Sequence, residues 1–264
     1  MDRLDVEALA GRLAQARESG LAFALPEALL RDMTPKQGYA VQSRHVELVL
    51  ARHGGGVIGT KLGGGDRKAL AGLGAQAPIQ GPIFSAFSQD TPAFLKRDDF
   101  FVCAVEAEIA VRLGSDLPAG DETVGREQIM EAIEAVMPAL EIADSRLAGF
   151  GVARAGAIIA DAGFAGAFIR GPERRDWRSI DIEGVAITLS VNGAAAGSGT
   201  GAGPLGSPFE ALAAMLSDPA RRNGGLRAGD IVSTGACVGP YIAKAGDAIT
   251  ADFGPLGQVS VTFG

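Results

Sequence analysis

The sequence predicts an α+β fold, with a small, mainly helical N-terminal region (residues 1–75) feeding a β-rich part (residues 76–264). Three observations carry this. Apolar residues recur at helical spacing through roughly the first fifty positions. From about position 100 onward, short runs alternate apolar and polar residues at the period of a strand. Glycine supplies 38 of 264 residues, about twice the usual share, and gathers between those runs as tight turns require. A chain of this length can bury a large core.

Taken in order, Val6, Leu9, Leu13 and Ala16 share one helical face, and Gly20 ends the run. Thr34-Pro35-Lys36-Gln37 is a capping box with proline at the first helical position. The helix it opens is expected to reach about Arg52, with Val46, Val49 and Leu50 inward, before Gly54-Gly55-Gly56 stops it. His45 and His53, eight residues apart, are too far separated for an i,i+4 metal pair and read as surface histidines. Val57 to Gly63 reads as a short strand, and residues 76 to 87, with Pro78, Gly81 and Pro82, as a loop. The alternating stretch Cys103 to Leu113 is a strand. A helix is expected from Arg126 to Met137, with Ile129, Ile133, Val136 and Met137 as its core face; Pro138 then separates it from a strand at Ala139 to Ala143.

Gly149 to Gly171 shows neither period, and Arg174 to Asp181 reads as a polar surface excursion. Val185 to Val191 is a strand closed by the hairpin turn Asn192-Gly193. Ser207-Pro208-Phe209-Glu210 is a second capping box, opening a helix to about Leu216. Strands follow at Asp230 to Thr234, Ala248 to Phe253 and Gln258 to Phe263, the last two joined by Gly254-Pro255-Leu256-Gly257. Gly201-Ala202-Gly203-Pro204-Leu205-Gly206 matches a dinucleotide-binding pattern in form only. Pro204 removes an amide that a phosphate cradle would use, so a tight loop is the reading.

Several function classes are disfavoured. The formal charge of −7, with no basic patch interleaved with aromatics, argues against a nucleic-acid partner. The two cysteines, Cys103 and Cys237, make neither a disulfide framework nor a metal-type spacing. Met1 to Glu7 lacks the basic start of a signal peptide, and no apolar run reaches the ~18–20 residues of a membrane span. A cytoplasmic protein without a membrane partner is expected.

One constellation points to chemistry. Along Cys103 to Leu113 the odd positions are apolar while Glu106 and Glu108 occupy even ones, so both carboxylates leave one strand face about 7 Å apart. Glu141 is the sole charged residue of Ala139-Leu140-Glu141-Ile142-Ala143. Three carboxylates on short apolar strands resemble an oxygen cage for a hard cation such as Mg²⁺ or Mn²⁺. The plainer alternative, a wet strand face, fits the same spacing. Lys61, by its local sequence alone, reads as a solvated lysine at a strand end.

Several stretches in order resemble the 2-keto-4-pentenoate hydratase and 4-oxalocrotonate decarboxylase family of the fumarylacetoacetate hydrolase superfamily. They are Gly38-Tyr39-Ala40-Val41-Gln42, Ile58 to Gly63, Glu106-Ala107-Glu108-Ile109-Ala110, Pro138 to Arg146, Gly199 to Gly206, Ala228 to Gly235 and Asp252 to Gly257. The resemblance implies a mixed β-barrel or β-roll of the fumarylacetoacetate hydrolase C-terminal-domain type behind the helical region. It implies Mg²⁺ or Mn²⁺ held by Glu106, Glu108 and Glu141 at the barrel mouth. It makes Lys61 the active-site lysine, gripping the substrate carboxylate or assisting proton transfer, and places Thr234 and Gly235 in a pocket-lining loop. The implied substrates are 2-oxo acids or their dienol forms from aromatic ring cleavage.

The chain departs from the family's hydratases at Ile79, where Asp usually follows Pro78, and at Asp161-Ala162-Gly163-Phe164, where many members read Asp-Asn-Ala-Ser. Ile79 and Phe164 are then substrate-pocket positions that have lost polar groups, which bears on water addition but not on chelation. The expected activity is a hydratase adding water to a 2-hydroxy-2,4-dienoate. The alternatives are a 4-oxalocrotonate-type 2-oxo diacid decarboxylase, which shares the dienolate, and a weakly active partner subunit. A homo-oligomer is expected, and association with a homologous pathway enzyme is a further implication.

Overall fold

The computed structural model describes residues 5–118, 124–218, 220 and 225–264. The chain opens with α1 (Val6–Ser19), capped by the Asp5 side chain and ended at Gly20. After β1 (Phe23–Ala24) and α2 (Glu27–Asp32), α3 (Pro35–His53) starts on the Thr34–Gln37 capping box. Its inward stripe is Val41, His45 and Val49, with Val46 and Leu50 only half-buried. His45 is therefore not a surface residue, because it sits one helical turn from each of two core valines and is fully buried. His53, at the helix end, stays exposed, its ring 5.0 Å from that of Phe87.

Next come β2 (Val57–Gly63), α4 (Arg67–Leu73), β3 (Ile79–Phe84), β4 (Ser88–Asp90), β5 (Ala93–Leu95) and β6 (Ala104–Leu113). The expected loop around residues 76 to 87 contains β3, an edge strand, where Pro82 can sit without costing a central ladder hydrogen bond. The expected helix from Arg126 is short: α5 (Arg126–Ala132) gives way to β7 (Ile133–Ala143). Ile133 and Val136 are β-branched, and β6 offers a full antiparallel ladder, so pairing overrides the helical spacing.

After β8 (Leu147–Ala148), the stretch without a clear period folds as α6 (Ala155–Ala160) and β9 (Ala165–Arg170). Between the last two, Ala162, Gly163 and Phe164 take consecutive left-handed φ values of 54°, 62° and 63°. Asp161, at the head of that turn, is locked to the buried Arg146 through its carboxylate and its carbonyl. The excursion at Arg174 to Asp181 is anchored by a buried Trp177, packed on Phe209. The chain ends with β10 (Ala186–Val191), β11 (Ala194–Thr200), α7 (Pro208–Leu216), β12 (Ile231–Ile242), β13 (Ala248–Asp252) and β14 (Gln258–Phe263).

A seven-stranded mixed sheet runs β3-β2-β12-β6-β7-β9-β4, and a five-stranded one runs β11-β10-β13-β14-β5. Both sheets are open in their hydrogen bonding; among the described residues no ring of strands closes into a barrel. One large apolar core joins them. It takes Val105, Ala107, Ile109 and Val111 from β6, and Ile249, Ala251, Val259 and Val261 from β13 and β14. A second apolar cluster packs α1, α3 and α6 together with Leu147 and Ile79. Among the described residues no helix is long and apolar enough to cross a membrane.

Candidate metal centre

Because one face of β6 fills the core, the other face carries Glu106, Glu108 and Ala110. Register then adds the third acid, since Glu106 lies directly opposite Glu141 on β7. The three carboxylates can each aim one oxygen at a common point, those atoms lying within 4.8 Å of one another. Glu108 and Glu141 are almost wholly buried, and Glu106 is half-buried at the open side.

Glu108 is held from β12. The Ser233 hydroxyl donates a short hydrogen bond to its Oε2, and the Gly235 amide donates to the same oxygen at 3.2 Å. Two donors so close in sequence reach one atom because β12 bulges between Ser233 and Ala236. Gly235 sits in that bulge at φ 107°, a conformation that a side chain would strain.

Lys61, paired with Ser233 in the parallel β2–β12 register, reaches across β12 and β6. Its Nζ stands 2.6 Å from Glu141 Oε1 with both side chains buried. The other Glu141 oxygen, Oε2, is buried without a hydrogen-bond partner. Glu108 Oε1 is likewise buried without a partner. Lys61 is thus not the solvated strand-end lysine that its local sequence suggests.

Burial, then the charge of Glu141, pushes the Glu106 carboxyl up to about 7 against the pull of Lys61. Burial, then Glu141 and Glu106, holds Glu108 well above the carboxylate range, while Ser233 and Lys61 oppose. For Lys61, burial works against its charge, but Glu141, followed by Glu106 and Glu108, outweighs it and the pKa is raised. Three acids facing a single ammonium, with two buried oxygens, Glu108 Oε1 and Glu141 Oε2, lacking any partner, match the donor set of a hard divalent cation.

The other anticipated residues are placed as follows. Gly235 serves Glu108, and the Thr234 hydroxyl donates to the Ile109 carbonyl at 2.8 Å, turned into the sheet. Ile79 pairs with Gly63, whose missing side chain leaves open the space between Lys61 and Ile79. A Cβ on Gly63 would stand 3.8 Å from Lys61 Nζ and 3.9 Å from Ile79 Cβ. Phe164 belongs to the same apolar cluster as Ile79 and packs edge-on against Phe150.

Sequence reasoning passed over Ser233, although a serine two residues before Gly235 on an alternating strand was a usable signal. It also passed over Phe84, Phe87 and Phe168, which with Lys61 and Glu141 line a cleft beside the acids. With β3 read as a loop, nothing in the sequence connects them.

The family model described as fumarylacetoacetate (FAA) hydrolase C-terminal matches residues 74–263. A 2-keto-4-pentenoate hydratase of Burkholderia vietnamiensis is 32% identical over 267 residues, covering 99% of this chain and 98% of that protein. One from Paraburkholderia xenovorans is 30% identical, covering 97% and 94%. Among solved structures, 4-oxalocrotonate decarboxylase from Pseudomonas putida G7, complexed with magnesium and adipate, has a TM-score of 0.90 at 25% identity over 99% of both chains.

Proposed function

The chain belongs to the fumarylacetoacetate hydrolase C-terminal family, and on that premise we propose that it is a divalent-metal-dependent lyase acting on 2-oxo acids, most simply a hydratase adding water to a 2-hydroxy-2,4-dienoate. The observation that carries the reading is the cluster of Glu106, Glu108 and Glu141 with its unpartnered buried oxygens. These three residues would hold Mg²⁺ or Mn²⁺. The cation, when bound, supplies an electron sink beside the substrate's keto oxygen.

The chain's own groups do the rest. Ser233 and Gly235 fix one Glu108 oxygen, leaving the other to face the centre. Lys61 holds the substrate carboxylate or moves a proton beside it, from a buried position where water does not compete. Ile79 and Phe164, in the apolar cluster with the helices, would act on the substrate's far end, and Thr234 and Gly235, in the β12 bulge, would border it beside Glu108. In this reading the two open sheets are halves of a β-roll with the acids at its mouth. Residues 76–264 form the catalytic part, and the mainly helical residues 1–75 lend it β2 and Lys61. A cytoplasmic homo-oligomer belongs to the same reading, as does association with a homologous pathway enzyme.

A second reading, a 2-oxo diacid decarboxylase, is favoured by the apolar residues at 79 and 164 and by the likeness to the Pseudomonas decarboxylase. Assaying the purified chain with Mg²⁺ against a 2-hydroxy-2,4-dienoate and a 2-oxo diacid tests both. Metal-dependent hydration is the expected outcome. No turnover of either substrate, with or without metal, would overturn the proposal.

A further inference from the structure

The apolar cluster of the helices is not filled throughout. Where α3 and α6 face the segment leading into β3 lies a cavity of about 300 Å³. Ile79, Ala155 and Ile159, all buried members of that cluster, line it together with Tyr39, Ala77 and Pro78. Among the described residues its charged lining groups are Lys36, which is exposed, and Asp218. Both Asp218 oxygens are engaged, one accepting from the Ala220 amide at 2.9 Å and the other from the Tyr39 hydroxyl at 3.4 Å. The buried wall is thus apolar.

Two observations tie this cavity to the acid centre. Pro78 also lines a small void beside Gly235, whose amide holds Glu108, and Gly63 lines that void too. A side chain on Gly63 would begin 3.8 Å from Lys61 Nζ and 3.9 Å from Ile79 Cβ, so its absence leaves room for a carbon in ordinary contact with both. A substrate leaving Lys61 over Gly63 therefore meets Ile79 and Pro78, which are walls of the cavity.

We infer that this cavity is the subsite for the substrate's remote end, and that it admits an apolar tail several carbons longer than that of a pentenoate. The inference rests on the proposed function, which sets the 2-oxo acid head at Lys61 and the acids. A volume of about 300 Å³ with a largely apolar lining is that of a small-ligand site. Methylenes entering it leave water for apolar contact, so α3 and α6 take part in substrate choice.

Calorimetric binding to the full chain at saturating Mg²⁺ tests this with three probes that share one head: pyruvate, 2-oxopentanoate and 2-oxooctanoate. Burial of three further methylenes should make 2-oxooctanoate bind about tenfold or more tighter than 2-oxopentanoate. Ala77→Trp, at a half-buried position, and Ile159→Phe, on the wall supplied by α6, both narrow the cavity. In at least one of them the ratio of 2-oxooctanoate to 2-oxopentanoate affinity should fall toward one. Equal affinity for those two probes in the unaltered chain, or a ratio unchanged in both variants, would overturn the subsite while leaving the proposed function standing. If none of the three probes binds, the proposed function falls and the subsite falls with it.

Discussion

The Lys61 ammonium sits against Glu141, so a cation held among the three acids competes with it for that carboxylate. Replacing Lys61 with methionine keeps the length and removes the charge. At 2.6 Å and an effective dielectric of about 20, the bare attraction is 332/(20 × 2.6), or roughly 6 kcal/mol. Most of that is offset by desolvation, and the net worth of a contact between charged groups is about 1.5–3 kcal/mol. Lys61→Met is therefore expected to raise Mg²⁺ affinity by roughly 10- to 100-fold, since each 1.4 kcal/mol is a factor of ten. The same substitution leaves Glu141 without its counter-charge and should cost the metal-free chain about 3 kcal/mol of stability. Turnover should be lost although metal binds more tightly. Calorimetric Mg²⁺ titrations and urea melts, each with and without metal, read these effects. Unchanged or weaker Mg²⁺ binding in Lys61→Met would refute the competition, and unchanged binding in Glu141→Gln as well would refute the acid cage itself.

Three further outcomes are expected. Ser233→Ala removes the hydroxyl that orients Glu108 and should weaken Mg²⁺ binding by about 10- to 100-fold in calorimetry, with little change in fold by circular dichroism. His45 is fully buried, and burial, reinforced by the charges of Arg146 and Arg17, depresses its pKa to about 3 from 6.5. The unfolded chain then binds the extra proton, so the stability held above pH 6.5 is lost as pH falls toward 3. By pH 5 the loss is about 2 kcal/mol, and the wild-type unfolding free energy minus that of His45→Leu, from urea melts, should fall by that amount between pH 7 and pH 5. Ile79→Asp with Phe164→Ser should raise hydration relative to decarboxylation on matched substrates. Brisk wild-type hydration with no gain in the double variant would show that water is activated elsewhere.

What the sequence made legible was whatever a single segment decides. The capping box at Thr34, the glycine stop of α1 and the alternation that turns Glu106 and Glu108 to one face are all local, and all appear. The meeting of those acids with Glu141 depends on the β6–β7 register, which no local pattern states. Ile133 to Met137 fits helical spacing and strand pairing alike, and the partner strand decided between them. His45 was readable in principle, because it shares a helical stripe with Val41 and Val49. Its burial came down to tertiary packing against Arg17, Arg146 and the Ala160 carbonyl. Phe84 and Phe87 join the site only once β3 is known to be an edge strand turning back over the sheet. The resemblance to a known family supplied Lys61, which local reading would have left in solvent.

The acids and Ser233 stand on the middle strands of a sheet whose reverse face is locked into the main core. The aromatic walls of the adjoining cleft come largely from a margin strand, the short turn after it and β9. The acids leave the face opposite that core, so the packing behind them fixes where their strands lie, whereas Phe87 is a half-buried ring on a short turn. Residues at that margin can therefore be exchanged one at a time without moving the strands on which the carboxylates stand.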